Sequence, residues 1–107
     1  MRPVIRLSEF NRQAKGILSP ENIGQLEEFL AANPEAGEVI PASGGIRKLR
    51  WKRPGMGKRG GARVIYFYLL TRETVYLMSV SAKSDKEDLS NDDKKRLQKK
   101  LGELKEE

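Results

Sequence analysis

Residues 44–68, GGIRKLRWKRPGMGKRGGARVIYFY, read as a strand, a glycine-rich reversal and a second, more apolar strand. Side chains alternate between Ile46 and Lys52. Leu49 and Trp51 point one way with Arg47, while Lys48, Arg50 and Lys52 point the other, because successive side chains of a strand leave opposite faces. Arg53–Gly61 contains four glycines and a proline, which mark the place where the chain turns back. Ala62–Leu70 is nearly all apolar and β-prone, as expected of a central strand covered on much of both faces. In and around this hairpin, Pro41–Arg72 carries nine Lys and Arg and no Asp or Glu, on a chain whose net charge is only +6. Arg47, Lys52, Arg53, Lys58 and Arg59 belong to that run together with Lys48, Arg50 and Arg63. Such density costs self-repulsion, and the usual reason to keep it is a polyanionic partner, most often nucleic acid.

Upstream, Val4–Leu7 reads as a short strand, and Ser8 offers a cap to a short helix in which Leu7, Phe10 and Ala14 share a face and which ends near Gly16. Ser19-Pro20-Glu21 is a stronger start signal: a cap, a proline at the first helical position and an acid in the positive first turn. Ile23, Leu26, Phe29 and Leu30 follow at helical spacing, and Asn33-Pro34 ends that helix. Glu35–Ser43 is a connector. Downstream, Thr71–Thr74 turns and Val75–Lys83 pairs back as another strand, with Tyr76, Met78, Val80 and Ala82 on one face and Ser79, Ser81 and Lys83 on the other. A last helix starts near Ser90, with Asp92 and Asp93 in its first turn and Leu97, Leu101 and Leu104 at helical spacing. Its lysines read as a solvated face. These elements predict an α+β domain spanning residues 1–107: a small antiparallel sheet of three to four strands, two N-terminal helices packed on one face, and a C-terminal helix. With the helices on one side, the opposite face, carrying Lys48, Arg50 and Lys83, is expected to form an open concave site.

A chain of 107 residues buries one modest core. It has no cysteine, so neither a disulfide framework nor a thiolate metal site, and no histidine, the commonest metal ligand and general base. No metal and no cofactor is therefore expected. The first twenty residues lack the apolar core of a signal peptide, and the longest apolar run, Val64–Leu70, is too short to span a bilayer. A soluble cytoplasmic protein with no membrane partner is the expectation. Gly57-Lys58 resembles part of a phosphate-binding loop, yet Lys52 stands where that motif needs glycine, Arg59 stands where it needs a hydroxyl, and a strand follows instead of a helix.

What survives this elimination is phosphodiester chemistry by cations. Attack of a ribose 2′-hydroxyl on its own phosphate needs a base, donors for a doubly anionic phosphorane and a proton for the departing 5′-oxygen. Arg and Lys supply the donors directly. Without histidine the base has to be a lysine among other cations, since like charge favours its neutral form. Lys48, beside Arg47 and Arg50, is placed for that part. A basic hairpin is nonetheless more often a binding surface than a catalyst.

The runs GGIRKLRW, GMGKRGG, ARVIYFY and LMSVSAKSDKEDL, preceded by Asn33-Pro34-Glu35-Ala36-Gly37-Glu38-Val39-Ile40, resemble the RelE/HigB toxins of bacterial type II toxin-antitoxin systems in order and spacing. The likeness covers about residues 23 to 90 and is nearest to the HigB branch, with its G-x-R-K-x-R strand, G-K-x-G-G-x-R-[VI]-I-Y run and K-x-x-x-x-D-L segment. It implies a RelE-like fold and a metal-independent endoribonuclease, an mRNA interferase that enters the ribosomal A site and cuts the message there. The partners it implies are the ribosome, mRNA and a cognate antitoxin. Carried over by position, the catalytic residues are Lys48 and Arg50 as base or phosphate clamp, Arg63 as phosphorane stabiliser and Lys83 at the leaving group. Arg47, Lys52, Arg53, Lys58 and Arg59 are the expected RNA and ribosome contacts. The family's C-terminal tyrosine falls on Leu89, which leaves Lys58, Tyr68 or the ribosome to take its part. Two rival expectations are a ParE-like gyrase poison on the same fold and a noncatalytic RNA- or ribosome-binding module.

Overall fold

A computed structural model describes residues 2–52, 61–82 and 89–106. The elements run β1 (Val4–Arg6), α1 (Ser8–Ala14), α2 (Pro20–Ala32), β2 (Glu38–Val39), β3 (Arg47–Lys52), β4 (Gly61–Leu69), a 3-10 turn (Leu70–Arg72), β5 (Thr74–Ala82) and α3 (Asn91–Glu106). The strands form one five-stranded sheet in the order β1-β5-β4-β3-β2. The α+β class holds, and two details differ from expectation. The sheet is mixed, because β1 lies parallel to β5, Val4 opposite Val75. Parallel neighbours need a crossover, and α1, α2 and the hairpin provide it. The connector also contributes a short edge strand, β2, whose two residues are too few to show an alternating pattern.

The helix boundaries follow the chemistry of their ends. Ser19 caps α2 by accepting from the Asn22 amide at 3.0 Å, and the Asn22 side chain accepts from the Ser19 amide in return. At the other end the Asn33 backbone and side-chain N–H groups both donate to the Phe29 carbonyl. The expected Ser8 cap is not made: Ser8 is already helical, and the residue before it, Leu7, has no capping side chain.

The third helix corrects the expectation that all helices share a face. Phe10, Ala14, Leu18, Ile23, Leu26 and Leu30, from α1, α2 and their link, pack on Val64, Tyr66, Val75, Leu77 and Val80. Leu97, Leu101 and Leu104 of α3 pack instead on Ile65, Phe67, Tyr76 and Met78 on the other side. The cause lies in β4, whose residues 64–67 are apolar on both faces and so need cover on both. The face expected to be open is therefore half covered, and only its β3 side remains available.

β5 departs from strict alternation. Ile65 pairs with Ser79 while the next residue, Tyr66, pairs with Leu77, so β5 carries one extra residue at Met78. Such a bulge reverses the phase of everything after it. Tyr76 and Met78 accordingly face α3, but Val80 joins the core beneath α1 and α2, and the four-residue stripe read from the sequence is split. Beyond the end of β1 the exposed edge of β5 is closed by Gln13, whose side-chain oxygen accepts from the Val80 amide and the Ser79 hydroxyl, each at 2.9 Å.

Candidate functional site

The cationic face is built by the register of β3 against β4. Arg50 lies directly opposite Arg63, Lys48 opposite Ile65 and Lys52 opposite Gly61. Cross-strand partners share a face, so Lys48, Arg50, Lys52 and Arg63 project to the side that α3 leaves uncovered. On the reverse side Leu49 and Trp51 pack toward α1 and α2, as the alternation predicts. Facing arginines at cross-strand distance repel each other. That cost sits in the middle of the hairpin, where a solvent-facing strand pair could have carried neutral residues.

Lys48 and Arg63 meet in a hollow of about 200 Å³ whose other walls are Ile40, Pro41, Ile65, Leu89 and Lys94. Lys48 and Arg63 are half-buried, whereas Arg50 and Lys52 are exposed and continue the row outward along β3. Among the described residues, the lining holds three cations, from β3, β4 and the first turn of α3. A group with several negative oxygens would meet complementary charge on three sides, in a setting less screened than open solvent. A larger cavity of about 350 Å³ between α1 and α3 has walls of both signs, Glu9 and Glu103 with Arg12, Arg96, Lys99 and Lys100. Its Glu9 is already engaged by Arg96, so it lacks that one-signed character.

Other residues singled out by the sequence lie elsewhere. Arg47 is on the α2 side, where its guanidinium donates to the carbonyls of Glu35 and Gly37, at 3.2 and 2.7 Å, and pairs with the Glu35 carboxylate at 3.7 Å. It thus fastens the loop before β2 to β3. Tyr66 completes that fastening from below: its hydroxyl accepts from the Gly37 amide at 2.8 Å and donates to the Pro34 carbonyl at 2.9 Å. Burial raises the Tyr66 phenol above its ordinary range, partly offset by the Gly37 hydrogen bond. Gly37 is tightly enclosed, since a Cβ there would stand 2.8 Å from both the Lys48 carbonyl and the Tyr66 ring. Tyr68, weighed as a substitute for the missing tyrosine, faces the α1 and α2 core, where Arg2 donates to its hydroxyl at 3.1 Å. It is on the wrong side of the sheet to reach the hollow. Lys83, Arg53, Lys58 and Arg59 lie outside the described residues.

Lys94 is the member of the site that the sequence reading assigned to solvent. A signal for it existed: Lys94 precedes Leu97 by three residues and Leu101 by seven, so, although exposed, it lies on the side of α3 that carries the leucines. Among the described residues, no group of three or more Asp, Glu, His or Cys is placed to hold a metal ion, and no helix is long and apolar enough to cross a membrane.

Comparison with known proteins adds a family and a fold. Residues 7–106 match the model of the family described as "RelE toxin of RelE / RelB toxin-antitoxin system". Among solved structures, the chain is similar to the Escherichia coli toxin RelE in the free state, determined as a double arginine-to-alanine mutant. That match has a TM-score of 0.56 and 16% identity and covers 80% of this chain and 87% of that one. It is also similar to a chain of the intact E. coli RelBE toxin-antitoxin complex, with a TM-score of 0.53, 16% identity and coverage of 76% and 95%.

Proposed function

This chain belongs to the RelE family of toxins from toxin-antitoxin systems, and on that premise we propose that it is a ribosome-dependent mRNA endonuclease. It acts on the codon in the ribosomal A site and is silenced by a cognate antitoxin lying across the cationic face. The observation that carries this reading is the hollow in which Lys48 and Arg63 meet, next to the facing pair Arg50 and Arg63. Cations gathered this way suit a phosphate that gains charge as it reacts.

In the proposed reaction the 2′-hydroxyl oxygen bonds to the adjacent phosphorus as its proton passes to a base. The bond from phosphorus to the 5′-oxygen then breaks, and that oxygen takes up a proton, leaving a 2′,3′-cyclic phosphate. Lys48 and Arg50 serve as base or phosphate clamp, Arg63 as the donor to the phosphorane oxygens, and Lys83 as the cation at the leaving group. Arg50 and Lys52 extend the charge outward along the path of the RNA backbone, with Arg53, Lys58 and Arg59 as further RNA or ribosome contacts. Arg47, turned to the loop before β2, acts on RNA through the placement of β3. The motifs Gly45–Arg50 and Gly57–Tyr66 favour the HigB branch within the family.

The test is a reconstituted translation system programmed with a defined message, read by primer extension. Cuts within A-site codons are the expected result. A stalled but uncut message would replace this reading with a noncatalytic ribosome binder, and gyrase-linked DNA breaks would replace it with a gyrase poison. Copurification of the chain with the product of a small adjacent reading frame, and loss of cutting on its addition, tests the antitoxin.

A further inference from the structure

Lys94 joins the hollow from outside the basic hairpin, and the way it is held gives it a function. The first turn of α3 is fixed at several points. The Asp93 amide donates to the Ser90 hydroxyl at 3.1 Å, and the Ser90 amide donates to the Asp93 carboxylate at 3.3 Å, a reciprocal cap. Arg96 donates to the other Asp93 oxygen at 2.7 Å and to both Glu9 oxygens at 2.8 Å, which ties the turn to α1. The Lys94 backbone is thus anchored on both sides, while its side chain borders the hollow shared by Lys48 and Arg63.

Two acids near Lys94, one beside it in the chain and one on α1, are turned elsewhere. Asp93 is engaged by Arg96 and the Ser90 cap, and Glu9 by Arg96. Among the described residues, the rest of the lining is apolar: Ile40, Pro41, Ile65 and Leu89. Three cations from three separate elements around a small hollow fit a compact oxyanion approached from several directions. Leu89 stands where the family resemblance expects a tyrosine, and Lys94 is the polar group that the described residues bring to the same side.

We infer that Lys94 is a phosphate-binding residue of this site, contacting the nonbridging oxygens of the phosphate held by Lys48 and Arg63. This deepens the proposed cleavage and rests on that reading for the identity of the phosphate.

Two measurements separate the inference from its premise. The first is cleavage rate in the translation system for the wild type, Lys94→Ala, Lys94→Arg and Lys95→Ala; Lys95 is an exposed neighbour outside the hollow. Lys94→Ala is expected to slow cutting by about ten- to a hundredfold, with Lys94→Arg recovering most of the rate and Lys95→Ala staying within about twofold of wild type. The second needs no cutting: titration with a nucleoside 3′-phosphate, followed by amide NMR shifts at Ile65 and Leu89, which should saturate in the wild type and weaken about tenfold in Lys94→Ala. A wild type that binds the phosphate through Lys94 but cuts nothing overturns the cleavage reading and keeps the anion site. Wild-type cutting and binding by Lys94→Ala overturns the role of Lys94, and so do equal losses in Lys95→Ala, which would mark a general charge effect.

Discussion

Gly37, Tyr66 and Arg47 show how residues far from any chemistry can decide the position of those that perform it. The loop before β2 is held by the Tyr66 hydroxyl from one side and the Arg47 guanidinium from the other, and it presses so closely on β3 that only glycine fits at position 37. Gly37→Ala must push apart the Lys48 carbonyl and the Tyr66 ring, and is expected to cost about 1–3 kcal/mol in urea unfolding. Lys48 follows its own carbonyl, so cleavage in that variant should fall even at temperatures where the protein stays folded. Tyr66→Phe leaves the Gly37 amide and the Pro34 carbonyl without a partner and should cost about 1–3 kcal/mol. The same residue sets an alkaline limit. Burial raises the Tyr66 phenol in the folded state, so the folded chain holds that proton more tightly than the unfolded one. The associated stability is complete below about pH 10 and drains away as pH rises further. Thermal melts from about pH 9 to 11 should therefore fall less steeply for Tyr66→Phe than for wild type, and equal slopes would remove Tyr66 from the account.

At the scale of elements, α3 gives the site its asymmetry. Its leucines bury against Ile65, Phe67, Tyr76 and Met78, while polar ties hold its flanks. Arg96 reaches Glu9 on α1, and Gln98 donates to the Ala42 carbonyl at 2.7 Å on the opposite side. Lys105 lies 5.6 Å from the centre of the Phe67 ring, close enough for a cation–π contact. Arg96 is pulled above its ordinary range by the hydrogen bond to Glu9 and then by that to Asp93, so it keeps its charge throughout the range in which the protein folds. Ser90→Ala removes the hydroxyl that accepts from Asp93 and should cost about 1 kcal/mol, with faster amide exchange confined to the first turns of α3. An unchanged exchange pattern would mean that the cap contributes nothing to the order of that turn.

Across the whole molecule, periodicity made the core legible and left the covering of each face undetermined. The β3 alternation, the β4 run, the α2 cap and the α3 leucines were readable because each depends on residues close in sequence. Which side α3 would take was not readable, because the answer lies in the packing of its leucines on Ile65, Phe67, Tyr76 and Met78, which no local pattern encodes. The same holds for the site: the row Lys48, Arg50 and Lys52 was plain from alternation, but Lys94 became visible only once α3 had been laid on the sheet, and so did the loop that Arg47 fastens on the opposite face. The facing pair Arg50 and Arg63 joins β3 to β4 in the middle of the cationic face. Arg63→Ala removes a donor proposed to act on the phosphorane, so growth inhibition should be lost while the chain still folds, as checked by circular dichroism. Undiminished toxicity at equal expression would move the chemistry to other residues. The extra residue of β5 bears on the whole molecule as well. Since Met78 opposite Ile65 would satisfy the ladder as well as Ser79 does, a chain lacking Ser79 keeps its inward set, with Leu77, Met78 and Val80 all still facing their present cores. That shortened chain is expected to fold, with the Gln13 latch on the sheet margin as its main casualty, whereas removing Tyr76 would put either Val75 or both Leu77 and Met78 on the wrong face.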